Sequence, residues 1–283
     1  MTERIEQLRQ TLERLYAKYN RREFIPPDPL QFLYRYDDCA EMEVVGFLSA
    51  ALAYGRVRQI EKSLNDLFGR MGQSPYAFVR GFGKTERKRL GDFKHRFTTG
   101  RDIADLLELL GEVLDEAGSI ENYLLRGYGT KDSNITLALS AFCDSLLDRH
   151  SKRTRRNLGN GVRYLLPRPE AGSACKRLNL FLRWMVRKDG VDPGLWKTVD
   201  KAKLVVPVDV HMARLCRILG FHDRRTVTLA TAVRITQGFA EIEPTDPAKY
   251  DFALSRIGIL DGCNGKYRQG CEDCELFGFC CHR

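Results

Sequence analysis

Four cysteines near the C-terminus, Cys263, Cys271, Cys274 and Cys280, follow the spacing C-x7-C-x2-C-x5-C. Thiols this crowded suit a metal centre better than core packing, and both zinc and a [4Fe–4S] cluster accept four thiolates. Structural zinc sites pair two short knuckles, whereas here only Cys271 and Cys274 stand close together. An iron–sulfur cube is larger than one ion and takes ligands spread more widely. The spacing therefore favours a [4Fe–4S] cluster, with zinc as the alternative. Cys281 is a spare neighbour able to replace Cys280, while Cys39, Cys143, Cys175 and Cys216 fit apolar helix faces. The total of nine cysteines is odd, so full disulfide pairing within one chain is impossible.

Two further residues have the chemistry of a reaction centre. Asp209 follows Pro207 and precedes an apolar stripe at helical spacing, Met212, Leu215, Cys216 and Leu219, which ends at Gly220. That places it at a helix N-cap, where backbone N–H groups and the helix dipole favour the carboxylate. A plain cap and a carboxylate that stabilises a developing cation both fit. Lys176 opens a helix expected over 175–187, whose buried face is Leu178, Phe181, Leu182, Met185 and Val186. Lys176, Arg183 and Arg187 share another stripe, either a solvated basic face or the setting of an amine nucleophile. A nucleophilic lysine needs desolvation and neighbouring cations, which Arg177 and Arg183 would supply.

Helices must position these groups. Apolar residues recur at three- and four-residue steps over 1–20, where Ile5, Leu8, Leu12, Leu15, Tyr16 and Tyr19 mark one amphipathic face. Asp38 with Glu41 reads as a helix start. Further helices are predicted at 57–71, 101–116, 119–126, 133–149, 174–187, 209–219, 226–240 and 247–260. Strand alternation is nearly absent, Leu204 to Val208 being the best short candidate. The predicted class is all-α. Residues 188–203 break the helical pattern and read as a boundary or an insertion, with Trp196 packing it to the core and Asp189 and Asp192 as loop acids.

The chain of 283 residues has a net charge of +9, which favours polyanions, nucleic acid above all. Arg149 to Arg156 holds a basic run with no acid inside it. No stretch approaches the ~20 apolar residues of a membrane span. The first residues carry charges and no apolar signal core, so a cytoplasmic, nucleoid-associated protein with no membrane partner is expected. No protein partner can be inferred.

The cysteine tail resembles the cluster loop of endonuclease III-type DNA glycosylases, whose pattern is C-x6-C-x2-C-x5-C, one residue shorter in the first gap. Asp251 to Leu260 resembles the helix before that loop. Pro207 to Met212 is similar to the segment carrying the catalytic aspartate in helix-hairpin-helix (HhH-GPD) glycosylases, especially those acting on 8-oxoguanine. The chain as a whole resembles an iron–sulfur family of that superfamily whose function is largely unknown. Gly172 stands where the first hairpin glycine belongs, whereas Ala174 replaces the second and Ala171 the usual proline.

The resemblance implies a two-lobed helical fold with lobes over 40–190 and over 1–39 plus 200–283, and an active site in the cleft between them. It implies a DNA glycosylase, with possible AP-lyase activity, that flips a damaged base, oxidised guanine by preference, out of double-stranded DNA. Lys176 would attack the sugar C1′ and Asp209 would stabilise the positive charge. Gly172, Ser173, Arg177, Arg183 and His211 would contact DNA, and Arg56 and Gln59 would fill the gap left by the base. A non-catalytic iron–sulfur protein that binds DNA or RNA structures is the alternative.

Overall fold

The structure is a computed structural model and describes residues 3–154, 160–260 and 262–280. In chain order its helices are α1 (Glu3–Tyr19), α2 (Cys39–Ala51), α3 (Val57–Met71), α4 (Pro75–Arg80), α5 (Lys84–Arg89), α6 (Gly100–Ala117), α7 (Ile120–Leu124), α8 (Thr136–Thr154), α9 (Asn160–Leu165), α10 (Lys176–Val186), α11 (Val210–Ile218), α12 (Leu229–Ala240) and α13 (Asp251–Ile259). One antiparallel hairpin pairs β1 (Lys94–His95) with β2 (Thr98–Thr99). The class is all-α. No helix among the described residues is long and apolar enough to cross a membrane.

Local chemistry explains the helix starts. Asp38 accepts from the N–H groups of Ala40 and Glu41 at the head of α2. Thr99 and Asp102 form a reciprocal capping box at the head of α6. Pro75 sits at the first position of α4, where its missing N–H costs nothing. Leu204 to Val208 is not a strand. It runs extended and largely buried, and the Val206 N–H donates to the Thr236 hydroxyl at 3.0 Å instead of to a neighbouring strand.

The chain divides into two compact units, Met1–Phe24 with Gly172–Arg283, and Ile25–Ala171. This division differs from lobes over 40–190 and 1–39 plus 200–283: residues 172–190 go with the C-terminal unit, and 25–39 with the other. Ile25–Ala171 is built around α6, whose Leu106, Leu107, Leu109, Leu110 and Val113 are fully buried under α4, α7, α8 and α9. In the other unit α13 packs on α1 and α11, and α11 on α12. Arg256 of α13 is wholly buried and donates to the Phe24 carbonyl at 2.9 Å, which ties the N-terminal segment into this unit.

Candidate functional site

The approach to α10 is tightly constrained. Gly172 has φ +81°, a conformation that favours glycine, and its carbonyl accepts from the Leu229 N–H at 3.0 Å. Ser173 Oγ accepts from the Cys175 N–H at 3.2 Å. Cys175 itself is left-handed (φ 47°), a strain of roughly 1 kcal/mol or more for a residue with a side chain. The next residue, Lys176, is the first of the helix.

The buried run 204–208 delivers Asp209 to the N-cap of α11. Its two oxygens divide the work. Oδ1 accepts from the N–H groups of His211 and Met212, each at 2.9 Å. Oδ2 lies 3.1 Å from Lys176 Nζ, and both side chains are about one-third exposed, 34% for the lysine and 39% for the aspartate. Burial pushes the Asp209 carboxyl up, but the Lys176 charge and the Met212 N–H outweigh it and hold the group below its usual range. The amine and the carboxylate thus meet within one unit, not across a cleft between two.

The other residues expected at this centre are placed differently. Arg183 is not on a solvated stripe. It is 2% exposed, with Nη2 at 3.1 Å from Asp192 Oδ1 and Nη1 bonded to Asp251. Arg187 is equally buried, its Nε 2.9 Å from Asp246 and its Nη1 2.9 Å from Asp189. Asp189 and Asp192 lie in the loop after α10, as expected, and from there pair with these arginines. Arg177 is buried too. Beyond its first turn α10 turns its basic stripe inward, because carboxylates from 189–192 and from 246–251 close over it. Arg183, sealed in this way, and the buried Arg177 are thus not exposed where a DNA phosphate would meet them. His211 is exposed beside Asp209. Arg56, at the N-cap of α3, and Gln59, which donates to Ser63 Oγ at 3.1 Å, are exposed but belong to the other unit.

Sequence reasoning missed Asp251. Burial pushes its carboxyl up, Arg183 and Lys176 pull it down, and Asp209 pushes it up again. Lys176, Asp209, Arg183 and Asp251 therefore form one electrostatic group. The available signal was two arginines one turn apart, Arg183 and Arg187, set among the apolar residues Leu180, Phe181, Leu182, Trp184, Met185 and Val186.

Cys263, Cys271, Cys274 and Cys280 line a single cavity of about 470 Å³, measured to its open mouth, walled by Leu215, Ile218, Ile257 and Leu276. Backbone bonds shape the loop: Cys263 N–H donates to the Ile257 carbonyl, Cys274 N–H to Cys271, and Cys280 N–H to Phe277. The Arg268 N–H donates to Cys271 Sγ at 3.3 Å, the kind of contact that steadies a thiolate ligand. Among the described residues no three His, Cys, Asp or Glu side chains lie close enough together to grip one ion. The four thiols border one space with largely apolar walls. Cys143, Cys175 and Cys216 are buried as expected, but Cys39 is exposed at the first position of α2. Cys281 lies outside the described residues.

Fold and geometry together define a helical protein with an amine–carboxylate pair at two helix starts and four thiols around one cavity of the same unit. The chain belongs to a family of proteins of unknown function (DUF2400), whose family model matches residues 28–260. No curated protein and no solved structure matches the chain. The match includes Lys176 and Asp209 and stops before Cys263. The resemblance to HhH-GPD glycosylases of the endonuclease III type is overturned: the family found is DUF2400, with no match to an HhH-GPD or endonuclease III family. The likeness rested on short stretches, and an Asp-capped helix or a four-cysteine loop arises readily in unrelated chains.

Proposed function

We propose that the chain excises a damaged base from DNA, with Lys176 as the nucleophile and Asp209 as its activating and charge-stabilising partner. The approach of Lys176 Nζ to Asp209 Oδ2, at 3.1 Å, carries this proposal. A lysine ammonium must lose a proton before it can attack, and a carboxylate at hydrogen-bond distance is placed to receive it. The amine then bonds to the sugar C1′ as the bond from C1′ to the base breaks. The electron pair leaves with the base, which takes up a proton. Sugar-ring opening gives an imine, and loss of a proton from C2′ then allows strand scission by β-elimination. A base stacked in a duplex hides this carbon, so the nucleotide must leave the helix first.

The +9 net charge supports a polyanionic partner. Cys263, Cys271, Cys274 and Cys280 would hold a [4Fe–4S] cluster that orders the C-terminal loop, with zinc as the alternative. No excision step passes through that group. Cytoplasmic, nucleoid-associated location follows from the same proposal. Oxidised guanine drew its only support from the likeness now set aside, so the test uses a panel of lesions.

Borohydride reduction of the protein with each lesion duplex is the decisive experiment. A covalent adduct should form with at least one lesion and vanish in Lys176→Gln. An adduct unchanged in that variant, or base release retained in full by Asp209→Asn, ends the proposal. Salt-dependent DNA binding without base release on any lesion would favour a non-catalytic binder. One observation fits that second reading: every bond Asp209 makes also serves to cap α11 or to hold α10.

A further inference from the structure

In the unit Ile25–Ala171 an exposed aromatic ledge stands on a surface of unpaired positive charge. Its centre is Phe97, at the turn between β1 and β2, which is 56% exposed although its neighbours His95 and Thr98 are buried. Strands of two residues do not hold a hairpin together unaided. This one is bolted down from beneath. The Tyr54 hydroxyl donates to the His95 carbonyl at 3.0 Å and lies 2.6 Å from Thr98 Oγ1. The buried His95 ring bridges Ser63 Oγ, at 2.9 Å, and the Tyr54 carbonyl, at 3.0 Å. An apolar side chain is thus held out in water by a rigid mount.

The ledge has three rings. Phe97 stacks on Tyr54 with centroids 5.2 Å apart and an interplanar angle of 26°. Tyr164 meets Phe97 edge-on at 4.6 Å. The Arg96 guanidinium lies 5.5 Å from the Phe97 centroid and 5.9 Å from that of Tyr54. Arg96 takes φ 55°, and Gly55, with φ +100°, leaves room for it: a Cβ at Gly55 would come within 2.7 Å of Arg96 Cδ.

Arg70, Arg80, Arg87, Arg126, Arg149, Arg153 and Arg168 of the same unit each face a carboxylate. Arg56 and Arg58 follow Tyr54 closely in sequence, Lys94 and Arg96 flank His95, and all four are exposed and form no ion pair among the described residues, as is also true of Lys84, Lys88, Arg101 and Lys131 in this unit. An exposed ring, Phe97, backed by two more rings and neighboured by cations matches one chemistry, nucleobases on a phosphodiester strand: bases stack on rings while phosphates meet arginine and lysine. An intact duplex hides its base faces. A lipid surface calls for a broad apolar face, and here a single phenylalanine is ringed by charge.

We propose that Tyr54, Phe97, Tyr164 and Arg96 form a stacking platform for unpaired bases of a nucleic-acid strand. It lies in a different unit from Lys176 and does not depend on base excision. The test measures binding of the full chain to a short single-stranded DNA and its RNA counterpart, each with one 2-aminopurine, and to the blunt DNA duplex. Stacking should quench the 2-aminopurine fluorescence. Phe97→Ala should weaken single-strand binding roughly 5- to 150-fold, the usual effect of losing one stacked base, and abolish the quench. Phe97→Trp should restore both, and duplex binding should change little. Arg96→Gln should lower the slope of log affinity against log salt by about one contact. Preference for the DNA or the RNA arm names the source of the strand. Wild-type affinity and quench in Phe97→Ala overturn the proposal. So does failure to bind either single strand, or binding to phosphatidylserine vesicles through Phe97 in place of oligonucleotides.

Discussion

Helix α10 carries two kinds of ion pair. At its first residue, Lys176 meets Asp209 in a pair about one-third exposed to solvent. Two turns on, Arg183 and then Arg187 are sealed among Asp189, Asp192, Asp246 and Asp251. The chemistry of the partners is similar, but the surroundings assign them different work. A pair taken out of water is costly to break, because the remaining charge is left without hydration or partner. A pair at the surface adds little to folding, since water and salt already screen it. The inner network therefore holds the unit together, while the outer pair can be changed with the fold intact. That asymmetry makes the outer pair a place where function can be measured separately.

The largest effect should come from the inner network. Asp192→Ala removes the carboxylate that bridges both arginines and should destabilise the protein by about 3–5 kcal/mol in urea unfolding. A loss below about 1 kcal/mol would mean the two ends of α10 do not differ in kind. The cysteine loop should come next. Cys271→Ser should abolish the broad visible absorbance of protein reconstituted with iron and sulfide, and should expose the loop after Cys263 to proteolysis. Helical circular dichroism should stay largely unchanged, because α10 to α13 precede the loop. Retained absorbance would remove Cys271 from the ligand set. At the outer pair, Lys176→Gln should change unfolding free energy by no more than about 1 kcal/mol while eliminating the borohydride-trapped adduct. A loss of stability like that of Asp192→Ala would make Lys176 a structural residue.

Much of the arrangement was legible in the sequence. The long helices declared themselves by spacing, and Asp209 by the proline before it and the apolar stripe after it. The four thiols are close in sequence, so the loop that brings them to one cavity needs no long-range information. Arg183 failed for the opposite reason. From α10 alone it belongs to a basic stripe, and Asp251, 68 residues away, decides that the stripe faces inward. Residues 204–208 show the same limit, since a hydroxyl on α12, not a partner strand, satisfies the Val206 N–H. The Phe97 hairpin has strands too short to alternate. Its position depends on Tyr54 and Ser63, which sequence patterns do not connect to it.

The subtlest test compares two carboxylates of the same unit. Asp209 is held below its ordinary value of 3.8, burial being outweighed by Lys176 and the Met212 N–H. The unfolded chain therefore takes up this proton first as pH falls. The Asp209 contribution to stability is complete above the ordinary value and is lost as pH drops through the lower folded value. Asp251 is shifted up by burial, which Arg183 only partly opposes. Two guanidiniums and Lys201, whose Nζ is 3.6 Å from Asp246, face four carboxylates, so the inner network is short of positive charge. Its sign is reversed: the folded state keeps the proton longer, so its contribution is greatest below the ordinary value and falls as pH rises toward the folded one. The stability gap between wild type and Asp209→Asn should therefore narrow on acidification below about pH 3.8, while that between wild type and Asp251→Asn should move in wild type's favour above that value, as pH falls toward 3.8, and stay level below it. Urea unfolding across the acid range reads both slopes. Slopes of the same sign would show that Asp251 shares the environment of Asp209, and that the inner carboxylates carry no excess of negative charge.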